Sequence, residues 1–191
     1  MGRRRAFGRI VAAALAAVLV TGLGACGGGS DNAAPPPNYQ QALKSAPPKL
    51  AALYAKGDEV LQGDASDVQA RLDGLRGYPV VVNAWASWCG PCREEFPLFQ
   101  QAAAKVGTKV GFLGIDTQDA EAAAKTFLDE RPLPYPSYTE TGGDVSQQFV
   151  PGVAGLPRTA FYDSSGKEVF VHQGPYTTAN QLEADIKHYA Q

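Results

Sequence analysis

Val80-Val81-Val82-Asn83-Ala84-Trp85-Ala86 runs directly into Ser87-Trp88-Cys89-Gly90-Pro91-Cys92. The first seven residues form an almost unbroken β-prone run, as expected of a strand buried on both faces of a sheet. A helix is predicted to begin near Cys89 and to run toward Lys105. The cysteine pair then sits where unpaired N–H groups and about half a unit of positive charge favour an anion. A Cys89 thiolate is stabilised there. Lowering a thiol pKa from about 8.5 to about 7 raises the thiolate fraction at neutral pH from a few per cent to about half. Pro91 suits the first turn because it has no N–H to lose. The three-residue spacing places the Cys92 sulfur beside Cys89. The chemistry expected is attack by Cys89, a transient mixed disulfide, and resolution by Cys92. On this order Cys89 is the exposed nucleophile and Cys92 the buried resolver.

The flanking pattern is α/β, with a central mixed sheet flanked by helices. Lys109 to Ile115 is a second β run, and strand–helix–strand in this order makes the two strands parallel. Gln118 to about Glu130 is alanine-rich and helical. Thr159-Ala160-Phe161-Tyr162 and Val169-Phe170-Val171 are short strands. Asp163-Ser164-Ser165-Gly166-Lys167 between them has turn chemistry, so they pair as an antiparallel hairpin. Asp67 to Leu75, ended by Gly77, and Thr178 to Tyr189 read as further helices.

The chain has 191 residues, three cysteines, two histidines and a formal net charge of −2. No basic block lies outside the first residues, so nothing calls for nucleic acid. A zinc site needs two more ligands at suitable spacing, and His172 and His188 lie far along the chain. A c-type haem site needs His after the second cysteine, where Arg93 stands. No metal and no cofactor are expected. A C-x-x-C pair closes too short a loop to constrain the unfolded chain, so reactivity explains it better than stapling.

Met1 to Ala25 has the basic start (Arg3, Arg4, Arg5, Arg9), the apolar run (Ile10 to Val20) and the small-residue end of a secretory signal. That run is shorter than the roughly 18 residues of a spanning helix. Leu23-Gly24-Ala25-Cys26 resembles the lipobox of bacterial lipoproteins, which implies a lipid on Cys26 and a chain held at the extracytoplasmic face of the cell membrane. Arg4-Arg5-Ala6-Phe7 faintly resembles a twin-arginine signal, so the export route stays open. Residues 26–48, glycine-, proline- and asparagine-rich near their start, read as a tether. The folded domain is expected over 49–191.

Val82 to Pro97, with Trp88-Cys89-Gly90-Pro91-Cys92 at its centre, looks like the core motif of TlpA/ResA/DsbE-like thioredoxin proteins, from about Leu61 to the C-terminus. The resemblance implies a thioredoxin-like fold and an exported, membrane-anchored thiol–disulfide oxidoreductase acting on cysteine-containing exported proteins, in cytochrome c maturation or oxidative folding. If the protein is a reductant, the resemblance also implies a membrane electron carrier of CcdA/DsbD type. Gly155-Leu156-Pro157-Arg158-Thr159 matches a second family motif, in which the proline is cis and faces the cysteines. Trp88, Gly90, Pro91, Leu156 and Arg158 are then the expected substrate groove. Arg158 departs from the threonine common in the family. Asn83 replaces the buried Asp of cytosolic thioredoxins. Glu95 lies three residues after Cys92 on the same helix face, whereas Glu94 points away; both helix geometry and the family match make Glu95 the tuner of the Cys92 proton. Pro97 is expected to kink the helix. Trp85 reads as core, and the segment from Gln118 to Gly143 as a family-like insert beside the groove.

Two other functions share parts of this pattern. A peroxiredoxin-like peroxidase needs a P-x-x-x-[TS]-x-x-C setting, which is missing. A copper-binding assembly module has C-x-x-x-C and a downstream His. The direction of electron flow is open on sequence alone.

Overall fold

Two short helices, α1 (Tyr39–Ala42) and α2 (Pro48–Tyr54), lead into the sheet in the computed structural model, which describes residues 35–190. The predicted signal segment and Cys26 lie outside the described residues. Asn38 caps α1 by accepting the Gln41 N–H, and Tyr39 Oη donates to Pro132 O at 3.1 Å. The packed body therefore starts ahead of residue 49, where the sequence reading placed its boundary.

Next come β1 (Val60–Gln62), α3 (Ala65–Gly74), β2 (Val80–Trp85), α4 (Gly90–Val106) and β3 (Gly111–Thr117). Then follow α5 (Glu121–Glu130), β4 (Ser137–Glu140), α6 (Asp144–Phe149), β5 (Arg158–Tyr162), β6 (Glu168–Gln173) and α7 (Ala179–Tyr189). Local chemistry sets several ends. Asp64 and Asp67 close a capping box on α3, and Thr178 Oγ1 accepts the Gln181 N–H at the start of α7. Gly77 and Gly166 adopt φ of 102° and 85°, the left-handed region glycine enters without strain. Helix α5 starts three residues later than the alanine-rich run suggests. Gln118 itself is left-handed, at φ 54°, so the backbone is not helical there. Helix α4 continues through Pro97 to Val106.

The six strands form one mixed sheet in the order β1-β4-β3-β2-β5-β6. β1 to β4, β4 to β3 and β3 to β2 are parallel; β2 to β5 and β5 to β6 are antiparallel. The expected parallel pair and the expected hairpin are both present, in a thioredoxin-like arrangement. The sequence reading did not anticipate β1 and β4.

β2 lies inside the sheet and all six of its residues are buried. Its side chains alternate between two cores. Val81 and Trp85 face Phe96 and Phe99 of α4, Phe127 of α5 and Leu182 of α7. Val80, Val82 and Ala84 face Leu50 and Leu53 of α2, and Val68 and Leu72 of α3. Each such large apolar side chain contributes on the order of 1.5–3 kcal/mol by leaving water. Trp85 is fully buried, packs edge-on against Phe96 and donates from Nε1 to Ser137 Oγ at 3.1 Å.

Gly114 leaves no room in this core for a side chain. A Cβ there would lie 2.0 Å from Ser137 Oγ and 2.9 Å from Trp85 Nε1, the two atoms joined by that hydrogen bond. Overpacking typically costs about 1–3 kcal/mol. Gly114→Ala is expected to lower the unfolding free energy of the oxidised protein by about that amount, read as a lower denaturant midpoint at an unchanged slope.

Candidate active site

The end of β2 delivers Ala86 to Cys89 to the N-terminus of α4. Cys89 is the cap residue, with φ −80° and ψ 106°, and its Sγ accepts the Cys92 N–H at 3.2 Å. Cys89 and Cys92 form a disulfide, with Cα atoms 5.3 Å apart. The structure leaves Cys89 4 % and Cys92 0 % exposed. Cys89 is thus much less open than its expected role as exposed nucleophile suggests. Its sulfur turns in toward the helix end, where it is bonded to Cys92. The neighbours carry the open surface: Trp88 is 60 % exposed, and Gly90 and Pro91 are exposed.

The residues before the disulfide are held from several sides. Trp88 Nε1 donates to Gln118 O at 2.9 Å, and the Ser87 N–H donates to Asp119 Oδ2. Arg93 NH1 donates to Ser87 O at 3.2 Å, while its guanidinium lies 4.6 Å from the centre of the Phe127 ring.

Glu95 is fully buried, whereas Glu94 is exposed. Asn83 Nδ2 donates to Glu95 Oε1 at 3.0 Å, and the Tyr176 N–H donates to Glu95 Oε2 at 2.9 Å. Burial pushes the Glu95 carboxyl up to about 7, against the downward pull of the Tyr176 and Asn83 donors. Its carboxyl can therefore exchange a proton in the neutral range. Asn83 Nδ2 also donates to Thr159 Oγ1 at 3.2 Å.

The Leu156–Pro157 bond is cis, as the motif implies. Pro157 is buried and Leu156 half-buried. Arg158, the next residue, pairs with Ala84 near the end of β2, so the proline and the cysteine loop leave the sheet at adjacent places. Arg158 corrects the sequence reading. Alternation along β5 turns its side chain to the face opposite α4, away from the cysteine pair. It is 7 % exposed, and its guanidinium donates to Val150 O at 2.8 Å and Ala154 O at 3.1 Å. Arg158 braces the loop before Pro157 instead of lining a groove.

Sequence reasoning missed three participants. Tyr176 reaches Glu95 through its backbone, which carries no side-chain signal. Asp119 acts on Ser87 from an irregular loop. Asp116 follows the apolar Phe112 to Ile115 stretch of β3, and an acid in that position was the available hint. Among the described residues, no three His, Cys, Asp or Glu side chains cluster as metal ligands.

The Redoxin family matches residues 44–186. The thiol-disulfide oxidoreductase ResA of Bacillus thuringiensis subsp. konkukian is 29% identical over 125 residues, which cover 65% of this chain and 70% of that protein. The thiol:disulfide interchange protein DsbE homolog of Paracoccus denitrificans is 34% identical over 122 residues, covering 62% and 63%. A crystal structure of a thiol:disulfide interchange protein, thioredoxin family, from Chlorobium tepidum superposes with a TM-score of 0.55 at 25% identity, covering 61% of this chain and 83% of that one.

The raised Glu95 pKa links stability to pH. The carboxyl titrates at 4.5 when unfolded and at about 7 when folded, so its stabilising effect is complete below pH 4.5 and is lost as pH rises through 7. At 1.36 kcal/mol per unit this is at most about 3 kcal/mol. Glu95→Gln cannot accept from both the Asn83 amide and the Tyr176 N–H, so it is expected to be less stable than the oxidised wild type near pH 4 but to stay level toward pH 8, where the wild type loses stability. Denaturant unfolding at the two pH values checks this, with Glu94→Gln as the exposed control.

Proposed function

The chain belongs to the Redoxin family, and on that premise we propose that it is an extracytoplasmic thiol–disulfide oxidoreductase acting on cysteines of exported proteins. One observation carries the reading: the Cys89–Cys92 disulfide sits at the N-terminus of α4, beside the exposed Trp88, Gly90 and Pro91. A substrate thiolate attacks Cys89 Sγ, the Cys89–Cys92 bond breaks, and Cys92 leaves as a thiolate. A second substrate thiolate then releases Cys89 and completes the substrate disulfide. In the other direction the Cys89 thiolate attacks a substrate disulfide, and Cys92 displaces the substrate. Either way two electrons move. Glu95, one helical turn beyond Cys92, takes or gives the proton that accompanies the change in Cys92 charge. The helix terminus favours the thiolate on Cys89.

The names of the ResA and DsbE relatives support this reaction class. Cytochrome c maturation and oxidative folding are the proposed destinations, the first with a CcdA/DsbD-type membrane electron donor. Reference potentials for the two directions lie about 150 mV apart, some five powers of ten in equilibrium constant for two electrons. Titration of the Cys89–Cys92 couple against glutathione assigns the direction. Anchoring through a lipid on Cys26, after removal of residues 1–25, completes the proposal. The lipobox-like Leu23-Gly24-Ala25-Cys26 supports it.

Cys92→Ser is expected to trap mixed disulfides through Cys89, and Cys89→Ser almost none, on non-reducing gels of cells expressing each variant. Equal trapping by the two would overturn the division of roles. Cys26→Ala is expected to release the protein to the soluble fraction or to leave it unprocessed. Recovery of a fully processed, membrane-bound Cys26→Ala protein would overturn the anchor.

A further inference from the structure

A pair of carboxylates lies beside the loop that carries the cysteines. Asp116, one residue before the end of β3, is the register partner of Trp85 and is fully buried. Its Oδ2 accepts from Thr139 Oγ1 at 2.8 Å, while its Oδ1 has no partner among the hydrogen bonds of the described residues. Asp119 is three residues on, half-buried, with its carboxylate against that of Asp116. Asp119 Oδ1 accepts the Ala120 N–H at 2.7 Å, and its Oδ2 accepts the Ser87 N–H. A buried carboxylate oxygen without a donor is costly. A proton between Asp116 and Asp119 removes that cost, because Asp116 then donates to Asp119.

We propose that Asp116 and Asp119 share one proton and together act as positioning residues, fixing the Ser87–Trp88 backbone ahead of Cys89 in a pH-dependent way. Protonated Asp116 holds Asp119 in place as an anionic acceptor for Ser87. Loss of that proton sets two negative charges against each other. Asp119, the more exposed of the two, then moves toward water and Ser87 loses its acceptor. Trp88 shares the clamp, through its bond to Gln118 O in the same loop.

The surroundings reinforce the pair. Burial, first, and then Asp119 and Glu140 push the Asp116 carboxyl up to about 7, against the Thr139 hydroxyl. Glu140, next along β4 from Thr139 but turned to the other face of the sheet, adds a longer-range repulsion. From α4, Arg93 reaches the loop at Ser87 O. At the start of α5, the Glu121 carboxylate is engaged by Gln62 Nε2 at 2.7 Å.

The device rests on the oxidoreductase reading only for its purpose, and its test requires no turnover. In the oxidised protein the cysteines do not titrate. The Ser87 amide and Trp88 indole N–H resonances, followed by NMR from pH 5 to 9, are expected to move together with a midpoint near 7. The same step is expected in Glu95→Gln. It is expected to vanish in Asp116→Asn, whose side-chain amide donates to Asp119 at every pH while its oxygen still accepts from Thr139. A flat Ser87 resonance in the wild type, or a step that survives in Asp116→Asn, overturns the proposal. Should that variant fail to fold, the Asp116 carboxyl carbon of the wild type decides: titration near 7 supports the pair, and titration below 5 overturns it. Absence of disulfide exchange would sink the proposed function and leave these titrations standing.

Discussion

Burial of β2 on both faces is the constraint from which the site follows. A strand covered on both sides has little room for polar atoms, and Asn83 is the one amide side chain on β2. Its amide must be satisfied within the protein. Nδ2 donates to Glu95 Oε1, Thr159 Oγ1 and, at 3.4 Å, Arg158 O. One side chain thus ties together the helix bearing the cysteines, the strand after the cis-proline and the centre of the sheet. Glu95, drawn into this interior, keeps its second oxygen for the Tyr176 N–H and is left with a carboxyl that ionises near neutrality. The same burial that stabilises the fold sets where this carboxyl ionises.

The parts of the fold with strong periodicity were readable from sequence. The apolar run of β2, the helix opening at Cys89, the hairpin around Gly166 and the final helix lie within a few residues of their expected places. β4 was hidden for a physical reason. Ser-Tyr-Thr-Glu has no apolar alternation, because Ser137 and Thr139 are buried as hydrogen-bond partners of Trp85 and Asp116. β1 has three residues, too few to display a period. Helix α6 has six and begins after a left-handed Gly143. The cysteine pair and Glu95 were legible because helical spacing fixes which residues share a face. Arg158 was misplaced because the motif shows that it follows Pro157 but not which face of β5 it occupies.

That strand face leads to a second polar network, on the side of the sheet away from α4. Burial works against ionisation of Glu140, yet the Ser146 and Val145 N–H groups and the Thr117 hydroxyl outweigh it and hold the carboxyl below its usual range. Glu140 also accepts the Gly143 N–H at 3.0 Å, so it gathers the start of α6 onto the end of the sheet. Ser146 Oγ lies 3.1 Å from Thr117 Oγ1 and 3.5 Å from Arg158 NH2. Arg158 in turn holds Val150 and Ala154. Gly152 leaves space for this arrangement, since a Cβ there would lie 2.4 Å from Arg158 Cδ. The loop before Pro157 therefore gains definition from an arginine buried among carbonyls.

The Tyr39–Pro132 hydrogen bond carries a different kind of consequence, one of reach. It ties α1 to the segment after α5, so the packed body begins about ten residues ahead of the boundary expected from composition. On the proposed anchor at Cys26, residues 26–38 are the span left between lipid and folded protein. Some 13 residues cover at most about 45 Å when fully extended. On that proposal, the length is an upper bound on how far the cysteine-bearing domain stands from the lipid.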